Sequence, residues 1–518
     1  MKVYKIFFII LISNFVLGQE NSSKDATLNY FEESTPEKEG LDSRYILNFI
    51  QKAENEIDEL HSLMIIKNGK NIASGWWYPY SSKTPHIMHS LSKSFTSTAI
   101  GFAVDEGLLN LNDRVISFFP EYKNSINDVH FREIRIRDLL TMSTGEKFEI
   151  NPSFSKEYNW SKLFFKTKLD FLPGTYFKYN SYATYMLSVI LNKITGIPLV
   201  DYLNTKLFKP LNIDKPYWES CPLGINVGGW GLKIKTEDIA KFGQLYLQKG
   251  KWNNIQLISN DWIKMATSKQ IDNSNTQSNS DWKQGYGFQF WKNRYNSYRG
   301  DGAFGQFCIV IPDRDMVIAI TASTNDMQKV LNIFWEEIYL NLQSPEKFEN
   351  NFENSNKLKD KLKKLKIKKH LKTQKKVRNN SKFEKTYFLN DNIFGIRSLK
   401  LKNINNELNL FLNTDSGNEK IIIGSEIYKK NQLSNFNFIN HYNNKSLNYF
   451  KDKKLTNTEI AVNGNWVDKR TFSFKILFLD DTAKSVIKLY FDKKEVEMDI
   501  NFEGVFGLQN LFKLSGSN

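Results

Sequence analysis

Apolar and polar positions along this chain follow two different periods, and the change from one to the other divides it. Over 40–57, GLDSRYILNFIQKAENEI, apolar residues recur at helical spacing with charges between them, which predicts an amphipathic helix. LHSLMIIKNGKNIASGWWYPY (60–80) follows as two β-rich runs around Asn68-Gly69, a hairpin turn pair. SKSFTSTAIGFAVDEGLL (92–109) predicts a helix, and its SFTSTAIGFAV stretch, small or apolar, suits burial. FREIRIRDLLTMSTG (131–145) predicts a strand end, a short helix and a glycine stop, and PGTYFKYNSYATYMLSVILNKITG (173–196) a turn and a helix ending at Gly196. In GGWGLKIKTEDIAKFGQLYLQKG (228–250), Thr236 stands where a helix cap belongs. GAFGQFCIVIPDRDMVIAITAS (302–323) gives two strands around a Pro-Asp turn, and a helix over about 326–342 closes the unit. Strands near both ends of this unit must meet in one mostly antiparallel sheet flanked by helices, an α/β (α+β) arrangement.

From about 382 the pattern becomes short alternating strands with polar turns, as in ELNLFLN, KIIIGSEIY, TFSFKILFLD and SVIKLYF. That predicts a separate all-β sandwich or barrel over 382–518, the main unit being 19–344. Between them, 345–381 is lysine-rich: residues 357–378 hold eleven Lys and one Arg against one Asp. It reads as a solvated linker, or as a basic amphipathic helix whose Leu362, Leu365 and Leu371 touch an anionic surface.

This clustering changes how the net charge of +15 is read. The excess lies largely in one segment without interleaved aromatics, so no nucleic-acid partner is expected. A chain of 518 residues with 41% hydrophobic residues and 39 Phe can fill two sizeable cores. At the N-terminus, Lys2 and Lys5 precede an apolar run from Ile6 to Leu17, with Val16 and Gly18 at cleavage-compatible positions. Residues 1–18 therefore read as a signal peptide, and the mature chain as periplasmic or secreted. Two cysteines, Cys221 and Cys308, are too few for a disulfide framework and are expected to be unpaired, Cys308 in a buried strand. No metal-ligand or nucleotide-binding pattern is present, so no metal or cofactor is expected.

Candidate chemistry begins at HSLSKSFTS (89–97). Ser90 and Lys93 lie one turn apart on one helix face, with the serine at the helix N-terminus, where N–H groups favour developing negative charge. A serine hydroxyl needs a base, and a lysine can be that base when burial lowers its pKa. The small, apolar residues that follow suit such burial. Ser153, Ser280, Ser344 and Ser485 also precede a lysine by three, but in polar or β-like surroundings. The alternative is a capped core helix with a snorkelling lysine. Tyr179, in YNS, could relay a proton, and YRGDGAFGQ (298–306) offers glycines that let a substrate approach a strand whose N–H completes an oxyanion hole. His86 and His89 flank the motif but read as local hydrogen-bonding groups, and no nucleophile elbow surrounds Ser90. GYGFQFWK (285–292) reads equally as cleft lining and as core.

Taken in order, these pieces resemble the penicillin-binding protein and serine β-lactamase superfamily. The chain is most similar to its class C β-lactamase-like serine hydrolases, a branch with esterases, D-aminopeptidases and 6-aminohexanoate-dimer hydrolases. The likeness runs over about 35–342 and includes GFAVDEGLLNLNDRV, IRIRDLLTMSTG, PGTYFKYN and FGQFCIVIPDRDMVIAIT. It implies a β-lactamase/transpeptidase-like fold with Ser90 as acylated nucleophile and Lys93 as its proton acceptor. Tyr179 would be partner base and acid for the leaving group. Gly300, Asp301 and Gly302 would form the third motif, and the N–H groups of Ser90 and Ala303 the oxyanion hole. Two departures stand out. The family's asparagine is either replaced by Ser181 or displaced by one position to Asn180, and the third motif lacks its lysine, with Arg299 adjacent as a substitute cation. In the β-lactam-active branch that region helps to hold a substrate carboxylate. The expectation is therefore an exported esterase or amidase acting on a small ester, amide or peptide-like molecule. A β-lactamase or D-Ala-D-Ala carboxypeptidase, and a non-catalytic sensor, are the alternatives. The C-terminal unit resembles lipocalin-like appendages of such hydrolases.

Overall fold

The computed structural model describes residues 30–342, 352–371, 383–434, 458–505 and 511–518, apart from 125, 127, 150–154, 156, 276–279 and 406. The proposed signal peptide, Ser153 and Ser344 lie outside the described residues.

Seven strands form the main sheet: β1 (Glu32–Glu33), β2 (Leu60–Lys67), β3 (Lys70–Trp76), β4 (Trp291–Lys292), β5 (Tyr298–Gly302), β6 (Gln306–Ile311) and β7 (Met316–Ala322). Their order, β1-β3-β2-β7-β6-β5-β4, joins the N-terminal hairpin to the C-terminal strands through the β2–β7 pair. Every ladder is antiparallel except the two-residue edge pair β1–β3. Asn68 and Gly69 turn the hairpin with φ of 53° and 74°, the left-handed values that this residue pair tolerates best.

The period of two explains the layering. In β7, Val317 and Ala319 face one core while Met316, Ile318 and Ile320 face another, so both sheet faces are buried. The second core is covered by helices α1 (Ser43–Glu56) and α5 (Met327–Glu337). The first is a large helical layer containing α2 (Ser92–Asp105), α3 (Ser181–Thr195) and α4 (Thr236–Leu247). Thr236 does not cap α4 as its position suggested. Its hydroxyl donates to Ser62 Oγ at 2.7 Å, and Asp238 accepts the Lys235 N–H at 3.1 Å instead. Val129–Glu133 form a 3-10 turn, and of the strand end expected here only an isolated antiparallel bridge between Arg135 and Arg114 is present.

Ten antiparallel strands form the C-terminal unit: β8 (Thr386–Leu389), β9 (Ile396–Ile404), β10 (Glu407–Thr414), β11 (Gly417–Ile423), β12 (Lys429–Leu433), β13 (Thr458–Trp466), β14 (Thr471–Phe478), β15 (Lys484–Phe491), β16 (Glu495–Glu503) and β17 (Leu511–Ser517). The order β11-β10-β9-β8-β17-β16-β15-β14-β13-β12 brings its ends together, with a Gly424–Asn463 bridge, in a nearly closed barrel. Alternation again gives two destinations. Ile460, Val462 and Ile476 fill the barrel, while Ala461, Leu477 and Leu479 join the core of the first unit.

Over its described residues, 352–371, the lysine-rich segment is neither a solvated linker nor a free amphipathic helix. Helix α6 (Phe352–Lys363) and the chain after it lay Leu358, Leu365 and Ile367 into the core beside α1. Tyr78 and residues 365–367 exchange backbone hydrogen bonds, and Lys361 pairs with Glu54 at 2.6 Å. His370 then reaches the barrel, its N–H on Asn463 Oδ1 at 2.8 Å. The charge run hides an apolar face that finds partners within the chain.

Candidate active site

Ser90 stands in a 3-10 turn, His89–Leu91, that runs directly into α2. Lys93, one turn on, is 1% exposed, so it does not snorkel. Its Nζ lies 3.1 Å from Ser90 Oγ, 3.1 Å from Ser181 Oγ and 2.7 Å from the Gly229 carbonyl. As an ammonium, Lys93 spends all three protons on these partners. As an amine it still serves the carbonyl and one hydroxyl, and its lone pair can take a proton from Ser90. Burial lowers its pKa to about 8, opposed by the more distant carboxylates of Glu149 and Asp301. Lys93 forms no ion pair among the described residues.

Ser181 is the first residue of α3. The neighbouring Asn180 is buried, and its Oδ1 accepts the Tyr182 N–H at 2.9 Å as the helix cap. That settles the departure at YNS, since the amide closes the helix end and the serine faces Lys93. Exposed Glu149 accepts the Ser181 N–H at 3.0 Å. Tyr179 lies beside this group, with Lys93 Nζ 4.9 Å from its ring centre and Trp291 stacked at 5.4 Å. Burial and then Asp301 raise its pKa well above the ordinary phenol value, so at neutral pH it is a phenol and a proton donor.

Gly300, Asp301 and Gly302 end β5 beside the turn that carries Ser90, and the two glycines meet a need other than the expected one. A side chain on Gly302 would meet the Met88 carbonyl at 2.0 Å, and one on Gly300 would meet Leu91 at 2.4 Å. The glycines admit the nucleophile turn to β5, which is a closer need than substrate approach. Ala303 follows, half-buried, and neither its N–H nor that of Ser90 has a backbone acceptor among the described residues. Arg299 cannot substitute for the missing cation. It is 0% exposed, bonded to Asp301 at 2.8 Å, to the Asp281 carbonyl at 3.0 Å and to Asn293, beneath the Trp282 ring. Burial pushes Asp301 itself up, against the pull of Arg299.

A model of the family described as Beta-lactamase matches residues 58–336, more than half of the chain. The chain belongs to the beta-lactamase family. Its members are serine hydrolases, and the matched span contains every residue of the site described above. A 6-aminohexanoate-dimer hydrolase of Paenarthrobacter ureafaciens is 22% identical over 286 residues, 51% of this chain and 73% of the relative. A Salmonella heidelberg protein, named provisionally as a D-alanyl-D-alanine carboxypeptidase, is 26% identical over 213 residues, 35% of this chain and 49% of the relative. A penicillin-binding protein homologue from Caulobacter crescentus superposes with a TM-score of 0.49 at 15% identity, covering 60% of this chain and 99% of that one.

Other features of the beta-lactamase domain separate into readable and hidden. Cys221 and Cys308 are free and buried, Cys308 in β6. In GYGFQFWK, Tyr286, Phe288 and Phe290 are core, while Trp291, stacked at 5.4 Å, and Tyr286, edge-on at 6.3 Å, meet Tyr179. His86 is a local hydrogen-bonding group as expected, on the Ile87 carbonyl at 3.0 Å and His61 at 2.9 Å, but His89 is not: its partner is Thr482 of the barrel at 2.9 Å. The Gly229 carbonyl was missed. Its signal was the Gly228-Gly229 pair, which passes so close to α3 that a side chain on Gly229 would meet the Ser181 carbonyl at 2.9 Å.

Proposed function

We propose that the protein is an exported hydrolase that opens a small ester or neutral amide through an acyl-enzyme on Ser90. One observation carries this reading: a buried lysine with no ion-pair partner among the described residues, 3.1 Å from a serine hydroxyl at a helix start. Neutral Lys93 takes the Ser90 proton as Oγ attacks the substrate carbonyl. The peptide N–H groups of Ser90 and Ala303 receive the oxyanion. The Tyr179 phenol gives a proton to the departing alcohol or amine and regains one from the Lys93 ammonium, and water then releases the acid and restores Ser90.

The substrate class rests on charge. Glu149 and Asp301 are the carboxylates that act on Lys93 and Tyr179, and Arg299 is sealed off. Such a site favours substrates without a carboxylate beside the scissile bond, which sets β-lactams and D-Ala-D-Ala peptides behind simple esters and amides. Export rests on Lys2, Lys5 and the apolar run that follows them.

The test is intact-mass spectrometry after exposure to a fluorophosphonate and, separately, to a penicillin. One fluorophosphonate adduct on wild type and none on Ser90→Ala is the expected result. A stable penicillin adduct would instead favour the penicillin-binding or sensor reading. No adduct with either reagent overturns the enzyme.

A further inference from the structure

The nucleophile turn is held from the barrel as well as from its own domain. His89, the residue before Ser90, has φ of 44°, the left-handed region that a residue with a Cβ occupies only at a cost. Such a conformation persists only where the surroundings fix it. His89 Nε2 lies 2.9 Å from Thr482 Oγ1, in the loop between β14 and β15. That hydroxyl donates its proton to the Gly504 carbonyl at 2.8 Å, so it accepts from His89, and the imidazole carries its hydrogen on Nε2. Burial holds the His89 pKa near 4, so the ring is neutral and has that one proton to give.

The same loop grips the site at two more points. The Asp480 carbonyl accepts the Ile87 N–H at 2.9 Å, three residues before Ser90. The Thr482 carbonyl accepts from Ser323 Oγ at 2.8 Å, just past β7. Next to Ser323, Thr324 N–H bonds the Phe304 carbonyl at 3.1 Å, and the Phe304 ring meets the His89 ring edge-on at 5.5 Å. Phe304 follows Ala303 directly. One loop of the barrel therefore touches the turn that carries the nucleophile and, through Ser323 and Thr324, supports the turn that carries the second oxyanion N–H.

We propose that Thr482 is a positioning residue for Ser90, so that the C-terminal barrel is a working part of the active site. This inference rests on the hydrolase reading above, since it requires a reactive Ser90.

The experiment uses the full chain: wild type, Thr482→Val, Thr482→Ser, His89→Phe and the Thr482→Val/His89→Phe double variant. It measures the rate of fluorophosphonate adduct formation, kcat and KM for p-nitrophenyl butyrate, and the thermal midpoint. Misplacing a nucleophile by a fraction of an ångström predicts roughly a tenfold or greater fall in adduct rate and kcat for Thr482→Val, with KM within about twofold. Thr482→Ser should restore the rate, and the double variant should be no slower than either single one. Wild-type rate in Thr482→Val, or losses that multiply in the double variant, overturns the inference. If Thr482→Val does not fold, His89→Gln, which keeps an N–H donor, must react faster than His89→Phe, and equal rates overturn it. A wild type that takes no adduct overturns the hydrolase reading and this inference with it.

Discussion

Lys93 and Lys233 flank the same nucleophile turn, and their surroundings push them in opposite directions. Lys93 is buried among hydroxyls and a carbonyl, and its pKa falls to about 8. Lys233 lies on the short strand Leu232–Ile234 that pairs with His86–Ile87, and its ammonium forms an ion pair with Asp480 of the barrel. Burial alone would lower Lys233 too, but Asp480 and Asp481 outweigh it and raise its pKa. The kind of partner decides the role. Neutral acceptors leave a lysine able to give up its proton, whereas a carboxylate turns it into a tie between domains.

The largest effect should come from removing each amine. Lys93→Met should slow fluorophosphonate acylation by roughly 10²–10⁴-fold, the usual worth of a general base. Lys233→Met should leave the rate within about threefold, because the ammonium meets a carboxylate and not the reacting serine. Equal losses in the two variants would break the comparison.

A second variant would make Lys93 resemble Lys233. The amine is the active form and exists above its pKa, so the wild-type acylation rate should climb with pH and level off above about 8. Ser181→Asp places a carboxylate where Lys93 now has a hydroxyl at 3.1 Å. It should move that limb upward by about 1–3 pH units, and slow acylation at neutral pH about tenfold or more. A rate profile measured across both limbs checks this, and an unmoved limb would mean that another group titrates.

Much of this contrast was legible in the chain, and the reason is distance along it. Ser90 and Lys93 are three apart on one helix, so their proximity follows from helical geometry alone. Asn68-Gly69 specified its hairpin for the same local reason. Tyr179 and the glycine-rich bend stood out by residue type and took their expected roles from resemblance, yet resemblance misjudged Arg299, whose burial depends on Trp282, Asn293 and Asp281 arriving together. Thr482 and Asp480 gave no signal. They stand 393 residues from His89 and 247 from Lys233, and no periodicity links positions that meet only when two domains dock. The basic segment misled through its charge count, because Leu358, Leu365 and Ile367, the residues that decide its place, are few among its lysines.

The smallest effect tests the tie itself. Asp480→Asn keeps the side-chain size and the backbone bond to Ile87, and removes only the charge facing Lys233. Asp480 is 37% exposed and Lys233 21%, so solvent screens the pair and the expected loss is only about 1 kcal/mol. Its pH dependence separates charge from hydrogen bonding. A lysine whose folded pKa is raised above 10.5 contributes stability fully below that value and loses it as pH rises through the folded pKa. The urea midpoints of wild type and Asp480→Asn should therefore differ at neutral pH and converge above pH 10.5. A difference that stays constant into the alkaline range would show that Asp480 holds Lys233 as a hydrogen-bond acceptor, and the two lysines would then differ in geometry more than in charge.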